Sequence, residues 1–214
     1  MLVRLPSDLW KRLAIALGAV AWLAVIALGM RALLEYQARP GHAAHAPAQW
    51  PARSTLARHP GAATLVLFAH PKCPCTRASL GELERSLAHA KKPIDAWIVL
   101  VLPRNVDASW AQSDLVLDAD QIPHAHVWVD RGGVEAHRFD AHTSGQVLLY
   151  DATGKLRFEG GITPGRGHMG DNAGGDAVAT LVGGPIPLGS GADSTRTPVY
   201  GCALFDATDT GGQP

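Results

Sequence analysis

The chain has 214 residues, 19 lysines and arginines against 19 aspartates and glutamates, and a formal net charge of zero. That length holds one ordinary domain with accessories, and with charged residues at 18 % and no basic stripe, nucleic-acid binding is excluded as a function class. The 23 glycines and 15 prolines suit long loops around a modest core, and three cysteines, Cys73, Cys75 and Cys202, are too odd a number for a complete intrachain disulfide framework. One thiol stays free, pairs between molecules, or all three serve redox or metal chemistry.

Residues 13–30 form an unbroken apolar run of eighteen, long enough to cross a bilayer as a helix. Arg4, Lys11 and Arg12 precede it, whereas Arg31 behind it is offset by Glu35. The positive excess therefore keeps the N-terminus in the cytoplasm and exports the chain beyond Met30. A cleaved signal peptide is the rival, with Ala27-Leu28-Gly29 as its small-residue site, but the run exceeds a signal core of about 7 to 15 residues. Residues 1–36 are expected to be an uncleaved single-pass anchor. Residues 37–60, rich in Pro, Ala and His and without apolar periodicity, are expected to be an extended tether. His42, His45 and His59 would be solvated there, and Trp50-Pro51 would mark the first touch on a folded domain spanning residues 61–214.

That domain opens on its most informative stretch, Thr64-Leu65-Val66-Leu67-Phe68-Ala69-His70-Pro71-Lys72-Cys73-Pro74-Cys75-Thr76-Arg77-Ala78-Ser79-Leu80. The Leu/Val run predicts a buried strand. Pro71 and Pro74 break it, and from Thr76 the placement of Leu80, Leu83 and Leu87 predicts an amphipathic helix. Two cysteines thus sit where a strand hands over to a helix N-terminus. Unpaired amides there favour a thiolate, and Lys72 and His70 add positive charge beside it.

Lys91-Lys92-Pro93 predicts a turn and residues 95–102 a second strand, parallel to the first because a helix of crossover length separates them. Residues 109–118 predict a helix, 125–129 a third strand, Asp130-Arg131-Gly132-Gly133 a turn and 134–139 a helical turn or two. Residues 146–150 and 155–159 around Asp151-Ala152-Thr153-Gly154 predict a hairpin. Residues 160–175 make a glycine-rich loop leading into a last helix over 176–182, with Asn172 as a candidate N-cap. Neither phosphate-loop nor dinucleotide spacing occurs in it. The sum is an α/β sandwich on a mixed sheet.

This order, with cysteines at the end of the first core strand, resembles the thioredoxin fold in its exported, membrane-tethered bacterial branch. A closer likeness is to the RedB-type group, in Trp50-Pro51, the His70-to-Leu80 motif, Thr143-Ser144-Gly145, Gly160-Gly161-Ile162-Thr163 and Gly201-Cys202. The resemblance implies a thioredoxin-like three-layer sandwich behind the anchor, periplasmic on a bacterial inner membrane. It implies a thiol–disulfide oxidoreductase acting on disulfide-bearing or thiol proteins without a cofactor.

Two departures stand out. Thioredoxins carry Cys-x-x-Cys, whereas Cys73 and Cys75 are two apart and would point about 200° from one another on a helix. A bridge between them would need non-helical backbone and would be strained. Counting from Phe68, either Cys75 takes the family's second, buried position or Cys73 takes the first, with Thr76 in the second. Cys73 is then the attacking thiol. The family's cis-proline is replaced by Gly145, preceded by Thr143-Ser144, a segment the resemblance places opposite the cysteines and able to pair with an extended substrate. Arg166 and His168, in the loop after the hairpin, are expected to approach the sulfurs.

Cys202, in a Pro/Gly-rich tail, would resolve a mixed disulfide or complete a metal site with Cys73, Cys75 and His70 or His168, a set suited to Cu(I). A Cu(I) chaperone or sensor and a non-catalytic scaffold are the alternatives to the enzyme. His124, His126, His137 and His142 are too scattered to single out.

Overall fold

The structure, a computed structural model, describes residues 7–42, 44–59, 61–91, 94–104, 106–107, 113–183 and 195–205. The chain divides into two compact units, Met1–Arg39 and Pro40–Pro214.

The first unit is helix α1, Ser7–Gln37. Its stretch Asp8–Gln37 contains an 18-residue window of mean hydropathy 2.4, none of it buried, so by length and composition it is a candidate membrane anchor or export signal. At about 1.5 Å rise per residue it is longer than the roughly 30 Å hydrocarbon layer. The Arg31–Glu35 ion pair, 2.7 Å one turn apart, lies at its polar end.

The second unit is built on one six-stranded sheet. Its strands are β1 (Ala63–Ala69), β2 (Ile94–Leu102), β3 (Ala125–Arg131), β4 (Gln146–Tyr150), β5 (Leu156–Gly160) and β6 (Thr195–Arg196), in the spatial order β3-β2-β1-β4-β5-β6. β1, β2 and β3 run parallel, β4 lies antiparallel to β1 and to β5, and β6 runs parallel to β5. The unbroken apolar runs of β1 and β2 exist because these two strands are covered on both faces, as central parallel strands must be. Alternate residues feed two cores. Leu65, Leu67, Ile98, Leu100, Val147 and Leu149 meet helices α2 (Pro74–Ala88), α3 (Asp114–Asp120) and α5 (Ala173–Val182) on one side. Val66, Phe68, Val99, Leu148 and Tyr150 meet helix α4 (Val134–Arg138) and Phe139 on the other. On α2, Leu80, Leu83 and Leu87 are buried, each contributing roughly 1.5–3 kcal/mol through the apolar surface removed from water.

The strands, the hairpin and α2 fall where the apolar pattern places them. The hairpin turn is held by Asp151, whose Oδ1 accepts from the Thr153 and Lys155 amides at 2.9 and 3.1 Å. Asn172 caps α5 by accepting from the Gly175 amide at 2.8 Å. Of the helix expected over 109–118, the observed α3 starts only at Asp114; residues 109–112 of it, and Lys92 and Pro93 of the expected turn, lie outside the described residues.

The expected tether differs most. Residues 41–42 and 44–56 do not stand off in solvent but cross the second core. The Gly41 amide donates to the Val199 carbonyl at 2.8 Å, the Ala46 amide to Glu159 Oε1 at 2.9 Å, and the Tyr150 hydroxyl to the Pro47 carbonyl at 2.9 Å. Trp50 makes edge contacts with Phe139 and Tyr150, 5.0 and 5.2 Å between ring centroids. Ala44, Ala46 and Leu56 are buried. The reason is complementary: among the described residues, the helix on this face of the sheet is the five-residue α4, so the chain itself completes the layer. His59, expected to be solvated, has 63 % of its side chain exposed and holds Asp95 Oδ2 at 2.9 Å, while His126 holds Oδ1 of the same carboxylate at 3.0 Å.

Candidate functional site

The site forms where β1 ends. Cys73 is the N-cap of α2, with extended backbone (φ −84°, ψ 119°), and Pro74 follows at the first helical position, where its missing amide and fixed φ suit the helix start. Cys73 thus lies outside the helix and Cys75 inside it, which cancels the angular separation two helical positions would impose. The third sulfur arrives from the tail. The Ser144 amide donates to the Cys202 carbonyl at 2.8 Å and the Leu204 amide to the His142 carbonyl at 2.9 Å, so the tail pairs antiparallel with residues 142–144. Gly201 is required for that pairing, because a Cβ there would lie 1.8 Å from the Ser144 carbonyl oxygen.

The result is a cluster in which the sulfurs of Cys73, Cys75 and Cys202 all lie within 4.8 Å of one another. Cys73 and Cys202 lie 2.8 Å apart, within about one ångström of the ~2.05 Å of a disulfide bond. Cys73 is 1 % exposed and Cys75 9 %, while Cys202 is partly exposed. The attacking thiol foreseen at Cys73 is therefore a covered sulfur.

The three thiols divide one charge unequally. Burial raises the Cys73 pKa, but the Cys202 thiol and amide, then the Cys75 amide and thiol, outweigh it, and the net direction is downward. Cys75 moves up, through burial and then the neighbouring Cys73 charge, partly countered by Arg166 and the Gly167 amide. Cys202 is pushed up to about 12 by burial and by its interaction with Cys73. Of the three sulfurs, Cys73 is the one whose surroundings favour the thiolate, while those of Cys75 and Cys202 favour the thiol.

The surrounding residues are sorted by what they touch. Thr76, fully buried, donates its hydroxyl to the His70 carbonyl at 3.0 Å and shares a 3.0 Å hydrogen bond with the Ser144 hydroxyl, which accepts from the His70 amide at 3.0 Å. This closed set clasps the end of β1, the start of α2 and the 143–145 turn. Gly145 donates its amide to the Phe68 carbonyl at 2.8 Å and has φ +92°. A proline ring, fixed near −65°, could not adopt that angle. His70 Nδ1 accepts from the Lys72 amide at 3.2 Å, and Lys72 is exposed. Arg166 does reach the site: its guanidinium donates to the Gly201 carbonyl and its charge acts on both Cys75 and Cys202. His168 is exposed in a turn closed by its own amide on the Gly165 carbonyl, 3.3 Å. Among the described residues, the group able to hold a metal is the three cysteines, with neither His70 nor His168 in it. What sequence reasoning missed is the strand pairing of the tail. Its signal was Gly201 beside Cys202, flanked by apolar Val199 and Leu204, both 6 % exposed.

A central β1 flanked by parallel β2 and antiparallel β4, a closing β4–β5 hairpin and a final helix, with cysteines at the β1–α2 junction, define the thioredoxin-like fold. The strand β3, inserted after β2, extends the sheet at its parallel edge.

Comparison with known proteins names no family for the chain. No family model matches, and no curated protein matches. An uncharacterized conserved protein from Geobacillus kaustophilus is similar in structure, with a TM-score of 0.53 and 17 % identity over 78 % of this chain and 92 % of that one. A hypothetical protein from Sinorhizobium meliloti 1021 gives 0.47 and 18 % identity over 67 % of this chain and 79 % of that one. A secreted Mycobacterium tuberculosis disulfide oxidoreductase, described as homologous to E. coli DsbE, gives 0.37 and 20 % identity over 45 % and 67 %. At such identities the likeness is one of fold.

Proposed function

We propose that the chain is a thiol–disulfide oxidoreductase whose redox pair is Cys73 and Cys202, held by an N-terminal anchor at residues 13–30 on the periplasmic face of a bacterial inner membrane. The observation that carries the reading is the 2.8 Å separation of those two sulfurs, one at a helix N-cap and the other on a strand-paired tail. The anchor and the RedB-type likeness of the His70-to-Leu80 motif support the setting, since a cysteine cluster persisting in an oxidising compartment has a redox use.

Exchange proceeds by thiolate attack on a disulfide. In the oxidised protein Cys73 and Cys202 share a bond; two electrons from a partner dithiol break it, leaving a Cys73 thiolate and a Cys202 thiol, and the partner leaves as a disulfide. Cys75 remains a thiol throughout and donates toward the Cys73 charge. The test is disulfide mapping and redox titration of the full-length protein in detergent micelles. A Cys73–Cys202 bridge, a free Cys75 and a reduction potential above about −300 mV are expected. No bridge, or one below about −300 mV as structural disulfides have, overturns the reading.

The three clustered sulfurs favour one second reading, binding of Cu(I) by soft thiolates. The donor set fits a soft monovalent cation, and the Arg166 charge would offset the excess negative charge of three thiolates around it. Anaerobic Cu(I) titration of the reduced full-length protein against a chelator decides: affinity no tighter than micromolar removes it.

A further inference from the structure

We propose that a partner thiolate attacks the Cys73–Cys202 bridge at Cys202 rather than at Cys73, so that the partner is a reduced dithiol protein that becomes joined to the C-terminal tail. The inference rests on the redox pair proposed above and adds which sulfur is attacked.

The argument is one of access. Attack on a disulfide brings the incoming sulfur along the line of the bond, from beyond the sulfur that is hit. To strike Cys73, a partner must come from the side away from Cys202. Cys73, at the N-cap of α2, is 1 % exposed, so no side of it is open to such an approach. Cys202 is partly exposed on the tail, and the Arg166 guanidinium, hydrogen-bonded to the Gly201 carbonyl, offers positive charge to an arriving thiolate. The sulfur that departs also favours this course. Cys73 leaves toward the Cys202 amide and the Cys75 amide and thiol, which favour its anion, whereas expelling Cys202 would create an anion that burial disfavours, and the more acidic thiol is the faster leaving group.

The step balances. A partner thiolate forms a bond to Cys202 Sγ, the Cys73–Cys202 bond breaks, and its electron pair stays on Cys73. The partner's second thiolate then attacks the partner's own sulfur in the mixed disulfide, and Cys202 leaves and takes up a proton. Two electrons have passed from the partner dithiol to the protein, and the second thiol proton goes to the medium.

The experiment uses oxidised full-length protein in detergent micelles, with reduced glutathione as the attacking thiol. Samples are quenched in acid after graded short times, free thiols are blocked, and the glutathione adduct is located by peptide mass mapping. Extrapolated to zero time, the adduct is expected on Cys202 at least tenfold over Cys73, with Cys73 free, and the same preference is expected in Cys75→Ser. Adduct formed first on Cys73 overturns the inference and leaves the redox pair standing. Absence of a Cys73–Cys202 bridge before glutathione is added overturns both.

Discussion

A thiolate on Cys73 depends on neighbours more than on its own position. Burial alone would make it a weaker acid than an ordinary cysteine; the thiols and amides of Cys202 and Cys75 together reverse that. Replacing Cys202 by alanine removes the thiol's share, and a hydrogen bond to a charged group is worth about 1.5–3 kcal/mol. The Cys73 pKa in Cys202→Ala is therefore expected to rise by about one pH unit or more, at 1.36 kcal/mol per unit, read from thiolate absorbance near 240 nm. An unchanged titration would mean that the helix start alone acidifies the sulfur. Gly145 is the second residue whose identity is dictated by its backbone. Its φ of +92° and the Ser79 hydroxyl oxygen 2.9 Å from where a Cβ would stand leave no room for a side chain. Gly145→Ala is expected to lose about 1–3 kcal/mol of stability, measured by denaturant unfolding; a loss below half a kcal/mol would show that the turn can relax.

At the scale of elements, the tail decides whether the site is open. It is held by a short antiparallel pairing with residues 142–144, by Arg166, and by the Thr197 hydroxyl donating to the Gly161 carbonyl at 2.8 Å. Gly201→Ala places a methyl group against the Ser144 carbonyl and is expected to lift the tail. In the reduced protein, alkylation of Cys73 by iodoacetamide should then quicken by roughly tenfold, equivalent to about 1.4 kcal/mol of lost docking. Equal rates in the two proteins would show that the tail does not shield the sulfur. This is also where sequence and structure part. The strand β1, the helix α2, the hairpin and the cap at Asn172 were legible because each obeys a local rule: apolar runs, helical spacing, turn residues. The place of Gly145 opposite the cysteines was legible from resemblance. The tail's register, the burial of Cys73 beneath it and the pairing of Cys73 with Cys202 were not, because they depend on contacts between positions far apart in the chain. Residues 41–42 and 44–56 misled for a related reason. Prolines and alanines look like tether, yet buried Ala44, Ala46 and Leu56 show that small residues can line a sheet closely.

At the scale of the whole second unit, one buried carboxylate joins the N-terminal wrap to the fold. Glu135 accepts from the Ser54 hydroxyl at 2.7 Å, from the Thr55 amide at 3.0 Å and hydroxyl at 2.8 Å, and from Arg138. Burial works against its ionisation, but these donors prevail and hold its pKa below the ordinary 4.5. The sign is then fixed: a depressed folded value gives stability that is fully present above 4.5 and is lost as pH falls through the folded value. Thermal melting should therefore drop below pH 4.5 in the native chain and less steeply in Glu135→Gln. At neutral pH, Glu135→Ala should lose about 3–5 kcal/mol, since it strands buried partners. A flat melting temperature in acid would mean that this contact contributes little to holding residues 41–42 and 44–56.

The two sulfurs of the proposed pair stand 129 positions apart. A ribosome makes Cys73 and Cys75 almost together and delivers Cys202 only much later. Under the proposed Cys73–Cys202 pairing, the bridge cannot close until translation has passed the tail. A finished bridge thus certifies that synthesis ran at least that far, and a prematurely terminated product is recognisable by two vacant thiols with no third to quiet them.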